Sequence, residues 1–261
     1  MHIVVCIKQV PNTTQVKINP ETNTLIREGV ESIINPFDEN ALEAALVLKD
    51  TLGAKVTVVT MGPPQAEAIL RESISRGADA VLLLSDRAFA GSDTWATSYA
   101  LAQGIKTLGP VDLVLFGKQA IDGDTAQVGP GVGEHLGWPV ITFVRKIEVD
   151  GNLLRVESVF EDGFDRIEVA LPAVLTVVKE INIPRLASLK GRMASRKAVV
   201  APVTAAAIQA RPECLGLRGS PTRVIKIFTP PKKTGGLKLD GADAAAAAKT
   251  VVGKLRELKI V

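Results

Sequence analysis

The sequence is poor in the residues on which many kinds of site depend. Its 261 residues include 2 cysteines, 2 histidines and 1 tyrosine, and aromatic residues make up 4% of the chain. His2 and His135 lie far apart, without the spacing of a metal site. Cys6 lies in an apolar run, so we expect a reduced, buried thiol, as in a cytoplasmic protein, rather than a disulfide. No apolar run reaches the roughly 20 residues that span a bilayer, and the first residues lead straight into a predicted strand without the basic region of a signal peptide. No membrane insertion is therefore expected.

The motifs of phosphate-cleaving and nucleophilic enzymes are also missing. The sequence contains no G-x-x-x-x-G-K-[ST] loop, no nucleophile elbow and no Ser-Gly-Gly run of the kind that ATP pyrophosphatases use. The run Gly129-Pro130-Gly131-Val132-Gly133 does not complete G-x-G-x-x-G. A hydrolytic enzyme therefore has no nucleophile or metal site here, and we assign no catalytic acid, base or nucleophile. We expect a protein that holds a nucleotide rather than one that cleaves it.

What the sequence does contain, with 46% hydrophobic residues, is an alternation of strand-like and helix-like segments. Strands are predicted at His2–Lys8, Lys55–Thr60, Ala80–Leu84, Leu113–Phe116 and Val140–Val144, and helices at Glu39–Leu52, Gln65–Arg76, Thr94–Leu108 and Ala126–Leu136. This alternation predicts an α/β fold with a parallel sheet and helices on both faces. The strand at 140 leads into Leu153–Phe160, Ile167–Leu171 and Ala173–Val178, which we expect to form an antiparallel meander at the edge of the sheet.

Charge divides the chain into two parts. Residues 1–178 carry 14 Lys/Arg and 23 Asp/Glu, a net charge of −9, whereas residues 179–261 carry 17 Lys/Arg and 5 Asp/Glu, a net charge of +12. We therefore predict an α/β nucleotide-binding domain over residues 1–180, and a recognition loop and partner-binding arm over residues 181–261, with a terminal helix at Ala242–Ile260. The basic part has a single aromatic residue, Phe228, and thus no stacking surface for bases. A grip on an acidic protein surface is at least as consistent with it as nucleic acid binding, and nucleic acid is not among the expected partners.

The most informative segment is the polar loop Gly117–Val128, which follows a buried strand and precedes a helix. Open α/β sheets bind ligands in such loops, and the N–H groups and dipole at a helix start favour an anion. Gly117 and Gly123 would let a ligand approach the backbone, Asp124 or Thr125 would cap the helix, and Thr125 and Gln127 would donate to phosphate oxygens. A plain capped loop is the alternative, which the length and polarity of this segment disfavour.

Three further loops follow strands or lead into helices. In Ile34–Asp38, Asn-Pro forces an extended turn and Asp38 is a natural N-cap. Thr60–Pro64 and Asp86–Thr94 each fit a helix start, with Ser92 or Asp93 as a cap in the second, and Arg87 is a candidate for pairing with phosphate. Each loop alone is explained as a capping motif or a solvated loop. In a parallel sheet, however, the loops at 34–38, 60–64 and 117–128 converge on one edge, which favours a ligand site; for Asp86–Thr94 a solvated loop is the expectation from its residues alone.

These residues together resemble the β subunit of electron transfer flavoprotein. The motifs that carry the resemblance are Ile3–Val10, Asn35-Pro36-Phe37, Gly62-Pro63, Gly77-Ala78-Asp79, Gly117–Asp124, Leu171–Thr176 and Pro184–Leu189. They cover nearly the whole chain, and their joint order is highly specific. The resemblance implies an adenine nucleotide α-hydrolase-like fold, a heterodimer with the α subunit, and docking on a flavin-containing dehydrogenase or quinone oxidoreductase.

The resemblance also implies the positions of the contacts. Cofactor contacts fall on Cys6, Asn35, Pro36, Phe37, Asp38, Met61, Gly117, Lys118, Gln119, Ala120, Ile121, Asp122, Gly123, Asp124, Thr125, Ala126, Gln127 and Val128. Pro184–Lys190 matches the loop that recognises the dehydrogenase, with Leu189 as the anchor. The C-terminal arm matches the part that embraces the α subunit, in agreement with the division of charge.

Members of this family divide into two groups by the nucleotide of the β subunit. In one group it is structural AMP, and in the other it is a second FAD that takes electrons from NADH and bifurcates them. Lys8–Pro11, Asp86–Thr94, Ala96–Ser98 and Leu189–Gly191 are similar to the second, which includes nitrogen-fixation-associated relatives. We therefore expect FAD, with AMP as the alternative, and NADH as the donor.

In the bifurcating group, the complex acts as an NADH-dependent oxidoreductase with ferredoxin or flavodoxin as the low-potential acceptor, and Arg87 is the candidate NADH contact. A stand-alone adenine-nucleotide module of the universal stress type remains the alternative from another class. Such a module has no need of the long basic arm.

Overall fold

The computed structural model describes residues 1–12, 17–18, 25–26, 32–225 and 234–261. The chain forms two compact units, Met1–Ile225 and Lys226–Val261. The first unit extends beyond the predicted boundary between residues 180 and 181, because residues 181–225 fold into further helices and a strand that pack with the α/β elements. In the second unit the predicted terminal helix is confirmed, with somewhat shorter ends, as Ala244–Glu257.

The described residues form 13 strands and seven α-helices. The strands are β1 (His2–Cys6), β2 (Gln9–Pro11), β3 (Lys17–Ile18), β4 (Leu25–Ile26), β5 (Ser32–Ile34), β6 (Lys55–Met61), β7 (Ala80–Leu84), β8 (Leu113–Gly117), β9 (Val140–Asp150), β10 (Leu153–Phe160), β11 (Gly163–Ala170), β12 (Ala173–Val177) and β13 (Pro202–Val203). The helices are α1 (Pro36–Leu52), α2 (Glu67–Arg76), α3 (Thr94–Lys106), α4 (Val128–Leu136), α5 (Leu189–Lys197), α6 (Gly216–Gly219) and α7 (Ala244–Glu257). Short 3-10 turns occur at Pro64–Ala66, Arg87–Phe89, Lys179–Ile181 and Pro212–Cys214.

Nine strands form one sheet in the order β11-β10-β9-β12-β8-β1-β6-β7-β13. The seven strands in the order β9-β12-β8-β1-β6-β7-β13 pair in parallel. Strands β9, β10 and β11 pair antiparallel to one another in sequence. The predicted parallel sheet and antiparallel extension are thus confirmed. The chain runs outward from β1 through β6 and β7 and then crosses back to β8 on the other side of β1. The strand order therefore reverses between β1 and β8, which is where open α/β sheets leave a crevice at the carboxyl ends of their strands.

One part of the predicted meander is wrong. Ala173–Val178 was expected at the sheet's edge, but β12 lies inside the sheet, parallel to β8 and β9. All five of its residues are buried. A strand that is apolar on both faces is stable inside a parallel sheet, where helices cover both faces of the sheet. Only β9, β10 and β11 form the antiparallel extension.

The alternation of side chains along β1 divides the core into two layers. Ile3 and Val5 face one cluster, which α1 and α2 cover, while Val4 and Cys6 face the other, which α3 and α4 cover. Helix α1 begins with Pro36 at its first position and ends at Leu52, and the following Gly53, with a left-handed φ of 67°, donates its N–H to the Lys49 carbonyl. Among the described residues, no helix is long and apolar enough to cross a membrane.

Candidate functional site

Asn35 joins two of the loops that were expected to converge. It lies just before α1 and is fully buried. Its side-chain amide donates to the Gln119 carbonyl at 2.8 Å, and its side-chain oxygen accepts from the Ile121 N–H at 3.1 Å. Its own N–H donates to the Lys8 carbonyl at 2.9 Å. One amide thus fixes the loop after β8 against the end of β1, and the convergence of these loops is confirmed.

Asp38 joins the same elements from one turn further along α1. Asp38 was predicted to cap α1, but the helix begins before it, so the carboxylate lies inside the first turn. One oxygen accepts from the Lys8 N–H at 2.7 Å and the other accepts from the Gly117 N–H at 3.1 Å. Burial raises the pKa of Asp38 to about 7, although hydrogen bonds from Lys8, Asn35 and Gly117 oppose this. The carboxylate links the carboxyl ends of β1 and β8 rather than capping a helix.

Gly117 is required by packing rather than by access of a ligand. Its φ is not left-handed, but a Cβ at this position would lie 2.5 Å from the Phe37 carbonyl carbon and 2.5 Å from an Asp38 oxygen. The first turn of α1 therefore lies directly against the end of β8. Gly123 differs, since the nearest atom to a Cβ added there would be the Lys8 ammonium nitrogen at 3.9 Å. Of the two glycines expected to admit a ligand, only Gly123 faces open space.

The second half of the loop has an unusual backbone. Asp124 and Ala126 have φ values of 53° and 56°, in the left-handed region that residues other than glycine rarely occupy. Helix α4 begins at Val128 with Gln127 as its cap residue, so the predicted caps Asp124 and Thr125 are wrong, and no side chain caps this helix. Asp124 instead accepts a hydrogen bond from the Gln119 amide.

This backbone fits an anion. Gln127 lies in the right-handed region, directly after left-handed Ala126. Alternation of this kind turns successive N–H groups to the same side and forms an anion-binding concavity. The first turn of α4 adds further N–H groups without a side-chain acceptor. Thr125 is exposed, and its hydroxyl has no partner among the described residues. These features fit a phosphate or diphosphate of a nucleotide.

An ion pair closes one side of the loop. The Lys8 ammonium lies 2.6 Å from the Asp122 carboxylate, and both side chains are partly exposed. The sequence gives no signal of this contact, because Lys8 and Asp122 are 114 residues apart. We call the region formed by Cys6, Asn35–Asp38, Met61 and Gly117–Val128 the strand-end site.

Two predicted contacts differ in their access to this site. Met61, at the end of β6, is half-buried at the same edge of the sheet as the loop after β8. The Cys6 thiol is buried within the apolar cluster that α3 and α4 cover. Burial, and then the nearby Asp38 charge, raise the pKa of this thiol well above its usual value. Cys6 is thus a neutral packing residue in this structure, and its contact with a cofactor remains a prediction.

The loop after β7 carries Arg87 at the same edge. Its guanidinium is exposed and has no hydrogen-bond or ion-pair partner in the described part of the chain. Asp93 caps α3 by accepting from the N–H groups of Trp95 and Ala96, as predicted. Its second oxygen accepts from the Thr222 N–H and hydroxyl at 2.9 and 2.8 Å. No local pattern in the sequence indicates that this loop is fixed by residues more than 100 positions away.

The expected recognition loop is partly helical. Leu189 is the first residue of α5 and is 78% exposed. The preceding segment is fixed to α1, because the Arg185 guanidinium contacts both oxygens of the buried Glu43 at 2.9 to 3.1 Å and Asp50 at 2.8 Å. This clamp was not predicted from the sequence. A sequence separation of 142 residues leaves no local signal for it.

Comparison with known proteins shows the family of this chain. The family model described as "Electron transfer flavoprotein domain" matches residues 22–208. The chain belongs to the electron transfer flavoprotein β-subunit family. It is 52% identical to the caffeyl-CoA reductase-Etf complex subunit CarD of Acetobacterium woodii, over the full length of both chains. It is 53% identical to the electron transfer flavoprotein subunit beta of Clostridium acetobutylicum, over 98% of each chain. It is 50% identical to protein FixA of Azotobacter vinelandii, over 88% of this chain and 84% of that protein.

This assignment confirms the family that the sequence motifs indicated. The strand-end site contains the motifs at 35–37 and 117–124 that carried the resemblance. The roles of its individual residues toward a cofactor remain predictions. No group of His, Cys, Asp and Glu residues suitable for a metal ion occurs among the described residues.

Proposed function

We propose that this electron transfer flavoprotein β subunit holds FAD in the strand-end site and that its heterodimer with the α subunit is electron-bifurcating. In this proposal NADH is the donor. One electron goes to the α-subunit flavin and on to a flavin-containing dehydrogenase or quinone oxidoreductase. The other goes to ferredoxin or flavodoxin. The observation that carries the proposal is the junction of the ends of β1 and β8 through Asn35 and Asp38, next to the uncapped start of α4.

Different residues of the loop after β8 would contact different parts of a bound dinucleotide. The N–H groups around Ala126–Gln127 and at the start of α4 would bind the diphosphate, with the Thr125 hydroxyl as a further donor. Gly123 would let the cofactor approach the backbone, since nothing but the Lys8 ammonium lies near it. Asn35 and Asp38 would not contact the phosphates themselves but would hold this loop in place through their hydrogen bonds.

The extent of the site supports FAD rather than AMP. Strand β7, whose loop carries Arg87, is three strands away from β8 in the sheet order. At about 4.8 Å per strand, these two loops are about 14 Å apart along the edge. A mononucleotide needs only the crevice between β1 and β8. The same sheet edge continues beyond this crevice, past Met61 at the end of β6 to Arg87 after β7. This additional length suits a longer cofactor, or a cofactor with a dinucleotide donor beside it.

This chain's residues position the cofactor and perform no acid–base chemistry of their own. A bound flavin supplies acceptance of hydride and release of electrons one at a time. The exposed Arg87 guanidinium, which has no partner within the described residues, is suited to hold a phosphate of NADH. The raised pKa of the Cys6 thiol leaves it protonated and inert.

The partners follow from the outer parts of the chain. We propose that the C-terminal unit binds the α subunit and that exposed Leu189 contacts the dehydrogenase. Cys6 and Cys214 are both free thiols, which is consistent with a cytoplasmic complex.

The test is the nucleotide content of the co-expressed, purified heterodimer. Acid extraction and chromatography should give two FAD and no AMP per heterodimer. One FAD and one AMP would contradict the FAD assignment, although the strand-end site would still hold a nucleotide. A colourless homodimer without an α subunit would support the stand-alone module instead. Thr125→Val should lower the second FAD specifically, and unchanged content would count against this loop as the phosphate site.

A further inference from the structure

The glycine-rich run at 129–133 does not complete a phosphate-binding motif, yet it forms the first turns of α4. Its first two glycines lie where neighbouring groups leave no space for a side chain. A Cβ on Gly129 would lie 2.7 Å from Cγ2 of Thr176, and a Cβ on Gly131 would lie 2.5 Å from the Ser98 hydroxyl oxygen. These glycines therefore let the start of α4 lie close against β12 on one side and against α3 on the other.

Ser98 is the residue of α3 that meets this run. It is buried, with 1% of its surface exposed. Its hydroxyl oxygen lies 2.6 Å from the Thr94 carbonyl oxygen, one turn back along α3, and 3.1 Å from the Val128 carbonyl oxygen of α4. The single proton of the hydroxyl is shared between these two acceptors. Ser98 thus joins the first turn of α3 to the first residue of α4.

This contact fixes the peptide unit that follows Val128. Because a peptide unit is planar and trans, a hydrogen bond to the Val128 carbonyl also sets the direction of the Gly129 N–H. Pro130 has no N–H, and the Gly131 N–H donates to the Gln127 carbonyl at 2.9 Å. Val128 and Gly129 therefore carry the only two N–H groups in the first turn of α4 that lack an acceptor among the described residues.

The neighbouring start of α3 is closed by a carboxylate. One oxygen of Asp93 accepts from the Trp95 and Ala96 N–H groups, and the other accepts from the Thr222 N–H and hydroxyl. The charge of this carboxylate would also repel a phosphate. Of the two helix starts, that of α4 is open to an anion and that of α3 is not, so α3 acts as a support for α4.

We infer that Ser98 is a positioning residue for the phosphate groups of the nucleotide. Its hydroxyl holds the Val128–Gly129 peptide unit, so the two free N–H groups are oriented before the phosphate binds. Donors that are already oriented lose little conformational freedom on binding. Ser98 itself is buried and acts through α4 rather than by touching the ligand. The inference rests on the proposed function, because it concerns the phosphate contacts of the nucleotide beside the strand-end site.

Ser73 offers a matched comparison for a serine that serves only its own helix. It lies on α2 and is fully buried, and its hydroxyl donates to the Ile69 carbonyl at 2.8 Å. This bond spans four residues, as the bond from Ser98 to Thr94 does. Within the described part of the chain, however, the Ser73 hydroxyl has no acceptor on a second helix. Ser73→Ala therefore removes a buried hydroxyl of the same kind without changing the start of α4.

The test is calorimetric titration of the co-expressed heterodimer after gel filtration in chaotropic salt has removed the nucleotide of the β subunit. AMP and adenosine are the probes, because they differ only in the phosphate. Ser98→Ala should weaken AMP binding about threefold to tenfold, which is the worth of a net hydrogen bond, and should change adenosine binding less than about twofold. Ser73→Ala should leave the affinity for both probes unchanged.

Gly131→Ala is a second variant that acts on the same contact from the side of α4. Its methyl group would lie 2.5 Å from the Ser98 hydroxyl oxygen, so α4 must move away from α3. We expect the same selective loss of AMP affinity as for Ser98→Ala. If Ser98→Ala does not assemble with the α subunit, Gly131→Ala decides the question by the same comparison of AMP with adenosine.

Three results would overturn the inference. They are unchanged AMP affinity in Ser98→Ala, equal losses of AMP and adenosine affinity in that variant, and equal losses of AMP affinity in Ser98→Ala and Ser73→Ala. The second result would show that Ser98 supports the fold in general rather than the phosphate contacts.

Titration of the wild type with FAD separates this inference from the proposed function. Binding of AMP but not of FAD would contradict the FAD assignment, and the comparison of AMP with adenosine would still decide the role of Ser98. Binding of neither nucleotide would contradict the strand-end site as a nucleotide site, and the inference would fall with it.

Discussion

Gly117→Ala tests whether packing of α1 against the end of β8 builds the strand-end site. The new methyl group would lie 2.5 Å from the Phe37 carbonyl carbon and 2.6 Å from its Cβ. Since carbon atoms in contact are about 3.5–4.0 Å apart, the first turn of α1 must retreat by about 1 Å. Overpacking of this kind costs about 1–3 kcal/mol. The retreat also weakens the hydrogen bond from the Gly117 N–H to Asp38, whose full loss would cost about 1.5–3 kcal/mol.

We therefore expect Gly117→Ala to lower the free energy of unfolding by about 3 kcal/mol. At about 2–4 °C per kcal/mol for a chain of this size, the thermal midpoint falls by about 6–12 °C. The assay is thermal unfolding of the purified heterodimer, followed by circular dichroism at one fixed protein and nucleotide concentration. The same samples are extracted for nucleotide, whose content should also fall, because Asn35 and Asp38 move with α1.

Gly123→Ala is the matched control in the same loop. Its methyl group meets nothing closer than the Lys8 ammonium at 3.9 Å, so its stability should stay within about 0.5 kcal/mol of the wild type. Loss of nucleotide from this variant at unchanged stability would support close approach of the ligand. Equal unfolding midpoints for Gly117→Ala and the wild type would refute the packing argument.

Three further changes test other parts of the structure. Burial raises the pKa of Asp38 from 3.8 to about 7, so the folded state binds this proton more tightly than the unfolded state does. The free energy of unfolding should therefore fall by up to about 4 kcal/mol as the pH rises from about 4 to about 7, and Asp38→Asn should remove this pH dependence in urea titrations. Arg185→Gln leaves the buried Glu43 carboxylate without its ion-pair partner and should cost about 2–3 kcal/mol by the same assay, less than for a fully buried pair because the Arg185 side chain is 32% exposed. Arg166→Gln should cost less than about 1 kcal/mol, because the Arg166 side chain is 80% exposed and its partner Glu157 keeps an ion pair with Arg145. Deletion of residues 234–261 should preserve the circular dichroism of the first unit but weaken binding of the α subunit in calorimetry, and wild-type affinity would exclude an assembly role.

The convergence of the site loops was predictable because it follows from local signals. Apolar runs bounded by turn residues indicated β1, β6, β7 and β8, and parallel pairing places all their carboxyl ends at one edge. The polar loops at 35–38 and 117–128 had to lie there together. The contacts that join them were not predictable, because the Asp38 carboxylate binds N–H groups 30 and 79 residues away.

Local signals were also ambiguous where two structural roles use the same residue types. Asp and Thr before a helix indicate caps, but Asp124 is left-handed and α4 starts later. Glycine after a strand suggests ligand access, but at Gly117 the space is taken by Phe37. Helix α5 has few apolar residues and no clear period, and its contacts with α2 stabilise it.

The sequence by itself determined the alternation of strands and helices, the family, the division of charge and the loops that meet at the strand ends. These depend on residue type and local spacing, which the chain carries without folding. Only the tertiary structure decided that β12 enters the centre of the sheet, that Asp38 joins two strand ends, and that α5 packs on α2. Those outcomes depend on which distant segments come into contact, and contact between residues 30 to 124 positions apart is set by packing of the whole core rather than by any local pattern.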